Sequence, residues 1–350
     1  MHMGVVTSRK IQRVGRSTLS VSIPSAWAKE RGFQQGDDVI LISESDGSLR
    51  LVPSRSYMSR ERLEESICNS DLCDEPKLLE RIIVGNYILG RETVKVISSE
   101  RVSSEHIEEI RRTVSKLIGL AIVEETPDLV TIQCSVDPRK YRLEMLLRRL
   151  STISLTMVKE SGQALIQFDT SLAKDAMKRE DEADAMYLLA FRLLVSAQRR
   201  REIAEEIGLS SPSQLLNFGL MLRFLKFVSD YAGENARRAF VLEKYKDRLP
   251  EWVVQRMGNL NDQAYDLLVK SVDCFFIGDV KIAGNTMDLQ ESIESERDKF
   301  MRELPEIPNL RLMLWNITRI ADCGKNIALI GLNNALERKS NICTVKPITR

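Results

Sequence analysis

The sequence predicts a multidomain α+β protein: a small strand-rich N-terminal module, a β-α-β-β middle unit, and an all-α C-terminal half. Three observations carry this prediction. Leu19, Val21 and Ile23 alternate with Thr18, Ser20 and Ser22, the period-two pattern of a half-buried strand. Strand-like and helix-like runs mix between residues 56 and 137. After Asp137-Pro138 the strand patterns stop and long helical periodicities take over. The predicted domains are therefore 1–55, 56–137 and 138–350, the last divided into repeats of about 138–246 and 247–340.

Composition excludes several classes. In 350 residues, 43% are hydrophobic and 29% charged, a balance that builds cores and rules out a disordered chain. The apolar stretches Leu117–Val123 and Ile327–Leu332 are far too short to cross a bilayer. No apolar signal-peptide core follows Met1, and none of the six cysteines forms a CxxC pair, so a reducing cytoplasm is the expected location. Two histidines leave little for His-based catalysis. The net charge of +1 argues against a nucleic-acid partner only if the charge is evenly spread. It is not: residues 1–55 hold eight Lys/Arg against five Asp/Glu, residues 56–137 ten against sixteen, and the remainder 33 against 29. Arg9, Lys10, Arg13 and Arg16 fall within the first twenty residues with no acid among them, the pattern expected of phosphate-backbone contact.

In the N-terminal module Pro24 opens a short helix after the first strand, and Gly32 closes it. A second strand runs through Val39–Ile42, Asp46-Gly47 supplies a hairpin turn, and Leu49–Val52 returns. Trp27 and Phe33 read as packing residues beside the helix rather than base-stacking groups. About fifty residues cannot bury a sufficient core alone, so pairing with a second copy is expected.

The run Arg9-Lys10-Ile11-Gln12-Arg13-Val14-Gly15-Arg16-Ser17, then Val21-Ser22-Ile23-Pro24 and Gly36-Asp37-Asp38-Val39, resembles the AbrB/MazE swapped-hairpin family over residues 4–54. The resemblance implies that two chains interleave into one small β-barrel whose basic loop and strand face contacts DNA. Carried over by position, Arg9, Lys10, Arg13, Arg16 and Ser17 are the expected DNA-facing residues.

In the middle segment residues 59–90 read as helical, with Leu78, Leu79, Ile82, Ile83 and Ile88 mostly on one side. A strand follows near Thr93–Ile97. Ser104 opens a second helix with Ile107, Ile110, Val114 and Leu117 at helical spacing. A hairpin of Leu120–Glu125 and Leu129–Cys134 around Thr126-Pro127-Asp128 completes the unit. His106 reads as a surface residue, and Cys68 and Cys73 as two ordinary thiols.

Six helices are predicted beyond it, at about 139–168, 171–207, 212–245, 249–277, 280–303 and 308–338, with breaks at Gly208, Pro250, Gly278, Pro305 and Pro308. Short connections imply antiparallel bundles, and two triplets suggest an internal duplication. Val228-Ser229-Asp230-Tyr231-Ala232 in the third helix parallels Ile320-Ala321-Asp322-Cys323-Gly324 in the sixth. Glu234 and Asn326 follow these aspartates by one turn. The second helix adds Glu180, Asp181 and Asp184, and the fifth Glu291 and Glu294. Carboxylates at i,i+3 or i,i+4 share a helix face, and facing helices of this kind can surround a hard cation with oxygen. The candidate ligands are Asp181, Asp184, Asp230 and Glu234 in one repeat, and Glu291, Glu294, Asp322 and Asn326 in the other.

The duplicated pattern resembles PhoU, the phosphate-uptake regulator family of two three-helix bundles, over about residues 138–340. Arg319-Ile320-Ala321-Asp322 with Asn326-Ile327-Ala328 carries the better match, Phe227-Val228-Ser229-Asp230 with Ala232 the weaker. The resemblance implies divalent or trivalent metal ions on the acidic faces. The departures bear on that: Lys226 and Thr318 stand where the family has its leading Glu, and Tyr231 and Cys323 where it has His. A lysine there supplies an internal counter-charge where a metal would sit. Arg199-Arg200-Arg201 reads as a basic helix end.

The two resemblances in this order are similar to an archaeal AbrB–PhoU architecture. What they imply together is a cytoplasmic homodimeric DNA-binding transcription regulator of phosphate uptake, with DNA as partner and no membrane insertion. The alternative is an adaptor whose helical half docks on a phosphate transporter ATPase or sensor kinase while the N-terminal module only dimerises. With no P-loop, no dinucleotide fingerprint and no nucleophile–base pair, the sequence does not read as an enzyme.

Overall fold

The computed structural model describes residues 7–43, 47–54 and 65–337. Residues 1–6, Asp46 of the predicted turn, residues 59–64 of the predicted helix and residues 338–350 lie outside them. The chain divides into a unit ending at Leu63 and a second from Glu64 onward.

In the first unit β1 (Gln12–Val14) and β2 (Thr18–Ser20) form an antiparallel hairpin, with Arg13 opposite Leu19. Helix α1 (Ser25–Glu30) starts after Pro24, and Gly32 at φ +71° turns the chain out of it. Trp27 and Phe33 stack with ring centroids 5.4 Å apart, as packing residues should. A second hairpin pairs β3 (Val39–Ser43) with β4 (Leu49–Pro53). Among the described residues these form two separate two-stranded sheets rather than a closed barrel. Among the described residues of this unit, Val52 alone is a buried apolar side chain, while Ile11 and Leu19 are each 68% exposed.

The second unit begins with a strand that the helical reading of residues 59–90 did not include. β5 (Glu65–Asn69) pairs in parallel with β6 (Thr93–Ile97). The alternation of half-buried Ser66 and Cys68 with exposed Glu65, Ile67 and Asn69 is a strand period. The helix proper, α2 (Leu78–Ile88), starts only after Lys77 in a left-handed conformation. Then come α3 (Ser104–Lys116), β7 (Leu120–Glu125) and β8 (Leu129–Cys134), giving a sheet in the order β5-β6-β8-β7. Leu79, Ile83 and Tyr87 of α2 and Ile110 of α3 pack on Val94, Val96, Val130 and Ile132, one face of that sheet. Cys68 and Cys73 are free thiols, and His106 is half-buried, with Nε2 3.2 Å from the carbonyl of Cys73.

The helical half comprises α4 (Leu143–Gln167), α5 (Thr170–Arg199), the short α6 (Arg201–Glu206), α7 (Pro212–Leu242), α8 (Glu251–Ile277), α9 (Val280–Glu303) and α10 (Leu310–Glu337). The second predicted helix thus breaks at Arg200, whose extended backbone separates α5 from α6. Helices α4, α5 and α7 form one three-helix bundle and α8, α9 and α10 another. Packing of α7 on α10 and of α4 on α8 merges both into a single apolar core. The duplication is visible at the junctions. α4 ends on left-handed Phe168 and α8 on left-handed Gly278; Asp169 and Asp279 then cap α5 and α9, each accepting from two backbone N–H groups. Among the described residues no helix is long and apolar enough to cross a membrane.

Candidate nucleic-acid interface and acidic helix faces

The basic N-terminal residues lie on or beside the first hairpin. Arg13 is in β1, Arg16 and Ser17 are in its turn, and Arg9 and Lys10 lead into it; all are exposed. Gly15 at φ +67° makes the turn, a conformation that suits glycine. Arg13 reaches across it, donating from Nη2 to the carbonyl of Arg16 at 2.6 Å, which holds two cations at one tip. No Asp or Glu occurs between Thr7 and Lys29, so no acid in the hairpin neutralises them. The strand β1 was not legible as such, because its residues Gln12-Arg13-Val14 are all exposed.

The first acidic face lies between α5 and α7. Lys226 is ion-paired with both Asp184 and Asp230. Its side chain is 14% exposed. Burial works against its positive charge, yet the two carboxylates outweigh that and hold the ammonium's pKa above the ordinary lysine value. One turn along, Arg237 pairs with Glu180 at 2.6 Å and with Glu234 at 3.1 Å, and Arg238 pairs with Glu234 at 3.0 Å. Gly233 makes room for this: a Cβ there would sit 2.6 Å from Oε2 of Glu180. Asp181 points away into solvent.

The second face lies between α9 and α10. Asp322 accepts from Gln290 Nε2 at 2.7 Å and from Arg319 Nη1 at 3.0 Å. Lys325 donates to Gln290 Oε1 at 3.0 Å, and the Asn326 amide turns back to the carbonyl of Asp322 at 2.7 Å. Glu294 lies 3.8 Å from Arg297, and Glu291 is exposed. Arg319 also bonds Tyr231, which links the signature helices of the two repeats.

These donor sets do not fit a hard cation. Glu291, Glu294, Asp322 and Asn326 do not converge, and in the other repeat the oxygens of Asp184, Asp230 and Glu234 face Lys226, Arg237 and Arg238. Among the described residues no group of three or more His, Cys, Asp or Glu is arranged to hold a metal ion. The physical reason is that Asp184, Asp230, Glu234 and Asp322 each already contact a cationic or amide donor from their own bundle, while Asp181 and Glu291 stand exposed.

A second feature escaped sequence reasoning. Arg192 on α5 is buried, donating to the carbonyls of Tyr87 at 2.6 Å, Arg91 at 3.0 Å and Gly90 at 3.3 Å. Arg199 adds a bond to the carbonyl of Leu89 at 3.1 Å. The two arginines satisfy the carbonyls at the C-terminal end of α2 and tie the middle unit to the first bundle. Arg199 therefore docks a domain, which a basic run at a helix end does not reveal.

Comparison with known proteins finds a likeness in two segments. Residues 147–239 match the model of the PhoU domain, and residues 12–58 that of the MazE antidote-toxin recognition family of bacterial antitoxins. No curated protein matches the chain. Similar solved structures include PhoU from Pseudomonas aeruginosa, at 20% identity over 54% of this chain and 93% of that one, with a TM-score of 0.48. The phosphate transport system regulatory protein PhoU from Streptococcus pneumoniae follows, at 15% identity over 56% and 94%, with a TM-score of 0.46. Residues 12–58 are thus similar to the MazE family, and residues 147–239 within the helical half are similar to the PhoU domain.

Proposed function

We propose that this chain is a homodimeric DNA-binding transcription regulator of phosphate homeostasis. The observation that carries the reading is the exposed hairpin bearing Arg9, Lys10, Arg13 and Arg16 with no acid in it. Backbone phosphates are the partner such a cluster suits, because each contact releases condensed counterions. The same unit leaves Ile11, Val14, Leu19, Val21, Leu41 and Leu49 exposed, more apolar surface than fifty residues tolerate without a second copy. Two copies bring two basic hairpins to one duplex. The PhoU match supports phosphate status as the signal, received by the helical half through a transporter ATPase, a signalling kinase or a ligand.

Titrating fluorescent duplexes with the intact protein at several salt concentrations tests this. The DNA fragments are those recovered from phosphate-replete and phosphate-starved cells. Affinity should fall steeply with salt, with a slope of about −0.9 per neutralised phosphate. Arg13→Glu should weaken binding at least about tenfold. Leu19→Asp should shift the sedimentation of the full chain from dimer to monomer. If the intact protein binds no DNA at low salt, the DNA reading fails. Retention of a transporter ATPase under those conditions would then favour the adaptor.

A further inference from the structure

The two repeats differ at their acidic faces in a correlated way. Counting from the capping residues Asp169 and Asp279, Glu180 corresponds to Gln290 and Asp184 to Glu294. Aligning Asp230 with Asp322 places Lys226 against Thr318 and Glu234 against Asn326. Where the carboxylates are kept, the lysine is present. Where the lysine becomes a threonine, two of the four carboxylates become amides. Charge and counter-charge have changed together, as they must if the cation that balances each face belongs to the chain itself.

Geometry agrees. The Lys226 ammonium is in contact with one carboxylate from each helix, Asp184 on α5 and Asp230 on α7, so it bridges the two as a bound cation would. Its side chain is largely covered, 14% exposed, and two of its three N–H donors face these carboxylates. Arg237 repeats the arrangement one turn on, joining Glu180 to Glu234.

We propose that the first acidic face is a metal-independent charge cluster in which the Lys226 ammonium holds the place of a cation between Asp184 and Asp230, and that removing this one amine converts the face into a divalent-cation site. The bundle is then built to keep its geometry whatever the metal supply, unlike a face whose helices are drawn together by a bound ion. This inference stands apart from the DNA-binding reading and survives its failure.

The test uses the full-length protein, purified without chelator. Wild type should contain well below one equivalent of Mg, Mn, Zn or Fe by elemental mass spectrometry. Its melting temperature should not move with EDTA or with added Mn²⁺ or Mg²⁺. Lys226→Met keeps the stem and loses the charge. It should melt lower without metal and recover with Mn²⁺ in a saturable manner, by about 5 °C at a hundredfold excess over Kd. Lys226→Arg should remain indifferent to metal, and Asp184→Asn added to Lys226→Met should abolish the recovery. A wild type that carries about one metal per chain, and loses melting temperature when EDTA removes it, overturns the proposal. So does a folded Lys226→Met protein that no divalent ion stabilises. Should Lys226→Met fail to fold, the metal content and EDTA response of the wild type and of Lys226→Arg decide the matter.

Discussion

Asn217 on α7 donates to Asn334 on α10 across 2.6 Å, and both side chains are buried. At the other end of the same contact Asn316 donates to Asn235 at 3.0 Å. The pairs lie about five turns apart on each helix. They therefore fix the antiparallel register of α7 on α10 within an otherwise largely apolar contact. A buried amide that loses its partner costs its full desolvation, whereas removing both partners costs far less. Asn217→Leu should destabilise the helical half by roughly 1–3 kcal/mol, and Asn217→Leu with Asn334→Leu by less than that single change. Urea unfolding followed by helical circular dichroism, arranged as a double-mutant cycle, measures the difference. Additive effects would show that the two amides are not coupled.

Arg192 offers a similar test between domains. Its guanidinium is the shared donor for three carbonyls at the end of α2, and it lies 5.0 Å from the Tyr87 ring. Arg192→Ala orphans those carbonyls at a buried contact, at a cost of about 2–4 kcal/mol. Lysine lacks the planar fork and should restore only part of it. Hydrogen exchange should accelerate in α2 and at the α2–α5 contact while α8–α10 stay protected. Unchanged exchange in α2 would show that the middle unit holds itself in place.

Local physics made much of this fold legible, and long-range pairing hid the rest. The α8–α9 junction follows from Gly278, legible as a break, whereas left-handed Phe168 between α4 and α5 carries no such local signal. The hairpin of β3 and β4 could be read directly, from the apolar run Val39–Ile42, the Asp46-Gly47 turn and the returning Leu49–Val52. Strand β5 was lost because five residues carry too little periodicity to outweigh the neighbouring helix, and only its pairing with β6 defines it. On the acidic faces helical spacing groups Asp184, Asp230 and Glu234 between facing helices, yet Asp181 and Glu291 stand exposed, and spacing does not reveal which cations these carboxylates contact. Lys226 could be read as a counter-charge from its position in the repeat. That Arg237 also reaches Glu180 depends on Gly233 leaving room for that carboxylate, which no spacing rule contains. The role of Arg192 depends on a helix end about a hundred residues away in sequence.

The α8–α9 junction predicts a position-specific backbone cost. Gly278 sits at φ +77°, with the Cα of Ala335 3.7 Å from where a Cβ would be. Space is adequate, so the penalty for alanine is conformational and should be about 1–2 kcal/mol. Asparagine, which tolerates the left-handed region, should cost less than alanine. Thermal melts of the Gly278→Ala and Gly278→Asn variants rank the two. An alanine variant as stable as wild type would mean the junction is not left-handed.

Cysteine reactivity reads the packing of the second bundle without any mutation. Burial pushes the Cys323 thiol up to about 12 and the Cys274 thiol up to about 11. The thiolate is the reacting species, so at pH 8 its fraction is on the order of one in ten thousand for Cys323 and one in a thousand for Cys274. Both side chains are also shielded, Cys274 against the carbonyls of Asp279 and Ala328 and Cys323 by its buried position on α10. Raising the pH toward 11 should therefore increase labelling of Cys274 before Cys323, provided the fold survives. At pH 8, timed iodoacetamide exposure followed by peptide mass spectrometry should show both cysteines modified only after urea unfolding. Native labelling of either one at the rate of a free thiol would mean that α8 and α10 separate on the labelling timescale, and that the shared core of the two bundles opens as a unit.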